Sequence, residues 1–311
     1  MSAAERVLVT GAGGHLGGHA AHLLARSGKH VYGTVRGSIP AAADKQTGIR
    51  WLSCDFSKPD EVRAAVKASN PSLVLHTVGL AGVADMSALI AANVTALEYL
   101  VGSLANAPLD CLLVIGSGAE YSPGRDREPI REDHPLGPSS PYGLSKLHQF
   151  EIAQRAAEGG LPVAYGRPFN LIGPGVSCVT AVGDISKRVA EAMQGQGRRV
   201  IDVGDLNRWR DYLDVRDAAT ACELLLESAS PGDAYNICSG VPVLMSEVVD
   251  RLLALADDGL AVQTVELSPS PDYVVGDSSK LRGLGWAPEY ELDTSLRDGL
   301  QYIASKLIAS G

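Results

Sequence analysis

The sequence predicts an α/β protein: a doubly wound parallel sheet with a smaller C-terminal lobe. Short β-branched apolar runs alternate with helix-like segments through the first half of the chain. A glycine-rich turn, GAGGHLG, joins the first run to the first helix. The unusual polar residues gather at the carboxyl ends of the runs, where ligands sit in sheets of this kind.

The elements follow in order. RVLVT (6–10) is a strand leading through residues 11–17 into the helix HAAHLLARSG (19–28). HVYGTVRG (30–37) and IRWLSCDF (49–56) read as the second and third strands, with a helix from Lys58 to Ala68 after them. PSLVLHTVG (71–79) is a fourth strand, SALIAANVTALEYLVGSLAN (87–106) a long helix and DCLLVIGSG (110–118) a fifth strand. A helix from Tyr142 to Glu158 precedes the sixth strand, LPVAYGRPFN (161–170). Runs this apolar suit strands buried on both faces. Residues 121–140, long, polar and rich in Pro and Gly, read as a functional or disordered loop. The later third is less regular. The expected division puts 1–170 and 205–240 in the large-sheet domain, and 171–204 and 241–311 in the second lobe.

Composition narrows the function. An apolar fraction of 45% with 20% charged residues is that of a globular protein. A net charge of −9 argues against broad binding to nucleic acid backbones. The five cysteines, Cys54, Cys111, Cys178, Cys222 and Cys238, form no C-x-x-C pair, which disfavours zinc and disulfides. With neither a signal-like N-terminus nor 18 unbroken apolar residues, no membrane span is expected and the chain reads as cytoplasmic.

The glycines of the first turn fall at Gly11, Gly14 and Gly17, with His15 and Leu16 between the last two. A strand–turn–helix context with such glycines suits a dinucleotide phosphate site, although the spacing also suits an ordinary strand-to-helix bend. PYGLSK puts Tyr142 and Lys146 four apart, on one helical face. A phenol with an ordinary pKa near 10 is a poor acid at neutral pH, and a nearby ammonium would bring it down into a useful range. Ser117, past the fifth strand, is placed to hydrogen-bond a carbonyl; alone it would be only a turn serine.

Together these residues identify the chain as similar to the extended short-chain dehydrogenase/reductase family, whose members act on nucleotide sugars on a Rossmann-type fold. PIREDHPLGPSSPYGLSK, RPFNLIGPG, VGDLNRWRDYLDVRDAA, AYNICSG and VGDSSKLRGLGW read in family order, and several most resemble GDP-4-keto-6-deoxymannose reductases. The resemblance implies that Ser117, Tyr142 and Lys146 are catalytic. It implies that Gly11, Gly14, His15, Leu16 and Gly17 hold the cofactor pyrophosphate, with Tyr142 and Lys146 near the nicotinamide ribose. Val35 stands where an NAD-preferring site carries a carboxylate, and Arg36 follows. This favours NADP(H), with NAD(H) as the alternative. Asp55 resembles the acid that contacts adenine, or else caps the next helix.

For the nucleotide-sugar substrate, the resemblance implies Asn170 and Arg210, with Ser117 at the carbonyl. Lys187 and Arg188 are added candidates on a helix face, and Glu120 is either a sugar contact or a surface-loop glutamate. The acid pair of the dehydratases is replaced by Gly118 and Ala119, and the cysteine of the GDP-fucose synthases by Ala119. A 4-ketoreductase of a nucleotide-linked 4-keto-6-deoxyhexose is thus expected. The alternatives are a 4-epimerase retaining NAD and, more distantly, a non-catalytic NADP-sensing regulator. An arginine usual before the VGD segment is missing near Leu267. The helices at 93–107 and from Tyr142 would pair across a homodimer axis as a four-helix bundle.

Overall fold

The computed structural model describes residues 5–39, 48–82, 85–122, 127–196, 199–256, 259–265 and 273–310. The expected doubly wound sheet is present, with seven parallel strands. They are β1 (Arg6–Thr10), β2 (His30–Val35), β3 (Ile49–Ser53), β4 (Leu73–His76), β5 (Cys111–Ile115), β6 (Val163–Pro168) and β10 (Ala234–Ile237). Their order is β10-β6-β5-β4-β1-β2-β3, so the winding reverses between β1 and β4. The loops after these two strands diverge there and leave a crevice at their carboxyl ends.

Both faces of the sheet are covered, which is why its strands are so apolar. On one face α1 (His15–Arg26) packs beside α7 (Val215–Ser228), burying Ala20, Leu24, Ala218 and Leu225 completely. On the other lie α2 (Pro59–Ser69), α4 (Ala96–Leu104) and α5 (Pro141–Glu158). Each fully buried Leu or Val there stabilises the fold by roughly 1.5–3 kcal/mol relative to exposure.

The long fourth helix is not regular. Between α3 (Met86–Leu89) and α4, Ile90–Thr95 form a π-helical turn. There Asn93 is fully buried, donates to the Ser145 hydroxyl at 2.8 Å and accepts the Leu80 N–H at 2.8 Å. Such a widened turn lets one side chain serve a tertiary contact that 3.6-residue periodicity would not reach. The whole Met86–Leu104 segment is long and apolar enough to cross a membrane by length and composition, with a mean hydropathy of 1.4 over its best window. Leu89, Leu97, Leu100 and Leu104 are, however, fully buried in the protein.

The sixth strand of the sequence reading divides. β6 ends at Pro168, and β7 (Asn170–Ile172) joins a second, four-stranded sheet with β9 (Trp209–Asp214), β11 (Pro242–Leu244) and β13 (Tyr273–Val274). Thus β10 lies in the large sheet, while β9, from the same 205–240 stretch, pairs in the small one. The helices α6 (Ala181–Met193), α8 (Met245–Ala254) and α10 (Leu292–Ser310) share a separate core around Val189, Val248 and Leu252. Within residues 127–140, Ile130 is buried, its N–H bonds the Val275 carbonyl at 2.8 Å, and Glu132 accepts the Asn236 N–H at 2.9 Å.

Candidate active site and cofactor cradle

The β1–α1 turn forms a cradle that only glycines allow. Gly11 takes φ +72°, and its N–H donates to Thr34 Oγ1 at 3.1 Å. Gly14 closes the turn with an N–H bond of 2.8 Å to the Gly11 carbonyl. A Cβ at Gly17 would stand 2.4 Å from that same oxygen and 2.4 Å from Thr77 Oγ1. The helix start therefore presses against the loops after β1 and β4, at the switch point. Gly14 caps α1 without a side-chain bond, and no acidic residue sits in the first turn. The first N–H groups of α1 and its positive dipole end are thus left to an anion, which fits a dinucleotide pyrophosphate.

His15 opens α1. Burial, and then its neighbour His19, bring its pKa down to about 4, so the ring is neutral; its buried Nε2 has no partner. Leu16 is buried in the core behind the turn. At the end of β2, Arg36 is exposed, and its charge helps hold the Asp55 carboxyl below its usual range, after the larger effect of the Ser57 N–H and hydroxyl bonds. Asp55 Oδ1 accepts both Ser57 bonds, at 3.0 and 2.8 Å, which organises the loop into α2. The cap of α2 itself is Lys58.

Ser117, Tyr142 and Lys146 come together between β5 and α5. Ser117 caps a single 3-10 turn, Gly118–Glu120, and its Oγ accepts the Ala119 N–H at 3.1 Å. Helix α5 begins with Ser140, whose Oγ accepts the Gly143 N–H at 3.0 Å, and with Pro141 pre-set for its first turn. Gly143 lies so close to the serine turn that a Cβ there would be 2.3 Å from the Ala119 carbonyl oxygen. That approach brings the half-buried Tyr142 phenol into a hydrogen bond with the Ser117 side chain.

Lys146 is 5% exposed. Its Nζ donates to the Ile115 carbonyl at 2.9 Å and to Gln149 Oε1 at 2.8 Å. Burial lowers its pKa to about 8, against a raising influence from Glu120. The expected lowering of Tyr142 by Lys146 is not what this arrangement gives. Burial raises the Tyr142 pKa, with the Ser117 bond opposing, because the ammonium is spent on Ile115 and Gln149. The phenol is thereby kept protonated, the form a proton donor needs. Behind them His76 is fully buried and neutral, its pKa lowered to about 3 by burial and by Lys146, with Nδ1 2.9 Å from Thr10 Oγ1.

Glu120 requires a correction. It is neither a surface-loop residue nor a free sugar contact: its side chain is 0% exposed and paired with Arg167, whose Nε donates to Oε2 at 2.8 Å. Oε1 accepts the Ser117 N–H at 2.7 Å and the Tyr165 hydroxyl at 2.9 Å. A carboxylate without those partners would be too costly to bury, and with them it sits fully buried inside the protein instead of being presented to a ligand. The sequence carried a sign of this pairing in Arg167 itself, a charge inside the apolar strand VAYGRP.

On the substrate side, the exposed Asn170 pairs with Tyr212, two residues along β9 from the half-buried Arg210, and Asn170 Nδ2 donates to the Asp211 carbonyl at 2.8 Å. Arg210 donates to the Trp209 carbonyl at 2.8 Å. Asp211, missed in the sequence, is fully buried and collects the N–H groups of Ser239, Gly240 and Gly276, fixing this part of the small sheet. Lys187 and Arg188 both have partners on α6, Glu191 at 3.0 Å and Asp184 at 2.6 Å, and do not stand as unpaired cations. Leu267 lies outside the described residues.

Comparison with known proteins agrees with this geometry. Residues 7–238 match the family model for the NAD dependent epimerase/dehydratase family. The GDP-6-deoxy-D-mannose reductase of Pseudomonas aeruginosa is 31% identical over 191 residues, 60% of this chain and 63% of that protein, so the match spans less than two thirds of that relative. The UDP-glucose 4-epimerase of Azospirillum brasilense is 26% identical over 335 residues, covering 97% of this chain and 92% of that one. Among solved structures, RMD from Pseudomonas aeruginosa complexed with NADPH superposes with a TM-score of 0.81 at 27% identity, over 97% of this chain and 99% of the other. The chain thus belongs to the NAD dependent epimerase/dehydratase family and is an NAD(P)-dependent enzyme of the extended short-chain dehydrogenase/reductase type.

Proposed function

We propose that this protein is a nucleotide-sugar 4-ketoreductase that uses NADPH to reduce the C4 ketone of a nucleotide-linked 4-keto-6-deoxyhexose. The observation that carries the choice is the end of β2, where Val35 and the exposed Arg36 stand in place of an acid. A guanidinium there can pair a 2′-phosphate in a two-pronged fashion, whereas an NAD site puts a carboxylate on the ribose hydroxyls. The likeness to RMD complexed with NADPH, and to the GDP-6-deoxy-D-mannose reductase, supports the same choice. When bound, the reduced nicotinamide supplies a hydride to C4.

The chain's own residues do the rest. The N-terminus of α1 with Gly11, Gly14 and Gly17 holds the pyrophosphate, and Lys146 lies near the nicotinamide ribose. Ser117 orients the ketone oxygen, and Tyr142 gives its proton to that oxygen as the alkoxide forms. A positioned acid contributes about 10² to 10⁴-fold to such a step. Asn170 and Arg210 receive the nucleotide diphosphate, with GDP and dTDP as candidate nucleotides. A second copy docks on the exposed side of α4 and α5, and five unpaired cysteines suit a reducing, cytoplasmic setting.

The second reading, a 4-epimerase retaining NAD, is favoured by the nearly full-length likeness to a UDP-glucose 4-epimerase. Purified protein offered GDP-4-keto-6-deoxymannose and, separately, dTDP-4-keto-6-deoxyglucose distinguishes the two. Oxidation of NADPH with one sugar supports the reductase and names its nucleotide. Absence of oxidation with either, together with NAD released on denaturation, overturns the reductase in favour of the epimerase.

A further inference from the structure

The pair buried beneath the serine turn has no role in the proton transfer as written above. The Glu120 carboxylate and the Arg167 guanidinium are 0% and 1% exposed, in the part of the molecule that carries Ser117, Tyr142 and Lys146. A family of contacts ties them to that group. Glu120 Oε1 accepts the backbone N–H of Ser117 at 2.7 Å. The Tyr165 hydroxyl, which donates to the same oxygen at 2.9 Å, also lies 3.2 Å from the Lys146 carbonyl oxygen. One carboxylate therefore links the serine turn, β6 and the catalytic stretch of α5. The approach is close: a Cβ at Gly116 would stand 2.4 Å from Glu120 Oε1 and 2.3 Å from the Tyr165 hydroxyl, so glycine is needed where β5 runs into the turn.

Arg167 is held as firmly. Its guanidinium carbon lies 4.3 Å from the Phe150 ring centre, 4.9 Å from that of Tyr121 and 5.5 Å from that of Tyr165. Its Nη1 donates to the Tyr121 hydroxyl at 3.1 Å, and that hydroxyl donates to Asn236 Oδ1 at 2.7 Å. Burial raises the Glu120 pKa above its ordinary value, opposed first by Arg167 and then by the bonds from Ser117 and Tyr165. With Oε1 and Oε2 both accepting from donors, the ionised carboxylate is the form this site is built to hold.

An ion pair this deep is a poor device for stability alone, since well-packed apolar residues commonly do as well. We propose that Glu120 and Arg167 are a positioning pair for catalysis, in which the carboxylate pins the Ser117 turn to α5 and sets a fixed negative charge beneath Tyr142 and Lys146. The proposal rests on the reading of Ser117, Tyr142 and Lys146 as the proton-transfer group. The groups around Lys146 are Gln149 on α5, neutral His76 from β4, the Ile115 carbonyl from β5, Glu120 from the turn and, at its backbone carbonyl, the Tyr165 hydroxyl from β6. Among the described residues facing it, Glu120 is the one negative charge, and it favours the ammonium. The same charge disfavours the tyrosinate. Both effects act in one direction: they keep the couple protonated to higher pH.

The test compares wild type with Glu120→Gln, Glu120→Asp and the double variant Glu120→Gln/Arg167→Met, which leaves no stranded charge if the single variant fails to fold. Two readouts are taken. The first is the pH profile of kcat for NADPH oxidation with the 4-keto sugar. The second is titration of the Lys146 ¹³Cε resonance, assigned by its loss in Lys146→Met, which needs no substrate. Glu120→Gln is expected to lower kcat by on the order of 10-fold or more while the sugar KM changes by less than about threefold, the signature of lost positioning and not of lost binding. Its alkaline limb and its lysine titration both move to lower pH, and Glu120→Asp returns them toward wild type. The double variant shifts in the same direction. A purely structural pair would lower the melting temperature and leave the limb and the lysine titration where they are, and that result overturns the proposal. If wild type fails to oxidise NADPH with the sugar, the ketoreductase reading falls, and the lysine titration still decides the role of Glu120.

Discussion

Gly17→Ala is the sharpest perturbation of the cofactor cradle, because one methyl group meets two fixed atoms. The new Cβ would lie 2.4 Å from the Gly11 carbonyl oxygen and equally close to Thr77 Oγ1, where ordinary contact begins at 3.4 Å. The turn or the helix must therefore retreat by about 1 Å, and Thr77 cannot swing aside freely because its hydroxyl donates to the Thr10 carbonyl at 2.6 Å. Overpacking of this kind costs roughly 1–3 kcal/mol. The same displacement moves the α1 N–H groups off the pyrophosphate, and at 1.4 kcal/mol per decade the affinity for NADPH should fall by roughly 5- to 150-fold. The assay is a fluorescence titration of NADPH beside a thermal melt. Gly102→Ala is the control: this exposed position in α4 has nothing within 4 Å of an added Cβ. A helix-interior alanine there should raise stability by about 0.5–1 kcal/mol and leave NADPH binding alone. Wild-type affinity and melting in Gly17→Ala would refute the reasoning that this turn is the phosphate cradle.

Three further outcomes are expected. Tyr142→Phe should lose about 10² to 10⁴-fold in kcat with NADPH binding retained, measured by turnover and titration; undiminished turnover removes the phenol from the mechanism. Arg36→Ala should raise the Michaelis constant for NADPH far more than for NADH, and equal effects on both would sink the phosphate clamp. Asp214 accepts from Arg216 Nε and Nη2 at 2.8 Å and from the Ser295 hydroxyl at 2.6 Å; burial works to raise its carboxyl pKa, yet these bonds hold it below the usual range. A depressed folded-state pKa adds stability above the unfolded value near 4, lost as pH falls through the folded value. Asp214→Asn should thus cost about 2–3 kcal/mol at pH 7 by urea unfolding, with the gap to wild type closing toward pH 3; a gap independent of pH would contradict the assignment.

The large sheet was legible because its physics is local. Strands buried on both faces must be apolar throughout, and the helices between them repeat on a different period, so RVLVT or CLLVI announces itself. The proposed catalytic group was legible for the same reason, since Tyr142 and Lys146 are one helical turn apart. The small sheet was not: β7, β11 and β13 have three, three and two residues, too few to carry a period, and they exist only by pairing around β9. Glu120 misled because its burial is decided 47 residues away by Arg167. Asn93 sits in a π turn whose cause is a contact with Ser145, 52 residues on, which no window along the chain contains.

The location of Glu120 bears on the reaction as well as on the fold. Eliminating water from a hexose needs a base and an acid at the reacting carbons in addition to the tyrosine. The sequence argued against that chemistry from Gly118 and Ala119, which carry no proton. One carboxylate nevertheless remained in the turn, and an exposed glutamate at position 120 could have served as the missing base. The structure takes it out of reach: both oxygens are engaged within the core, and the Ser117 N–H that one of them accepts fixes the turn's geometry. A base must come within hydrogen-bond distance of its proton, and Glu120, fully buried and bonded to Ser117, Tyr165 and Arg167, is not presented to a substrate. Among the residues brought together there, Tyr142 is the one side chain that is half-buried, protonated and in contact with Ser117. Lys146 is sealed behind it, and His76 has too low an affinity for protons to relay them near neutrality. A site with one usable proton suits a single protonation of a single oxygen, which is the demand of ketone reduction.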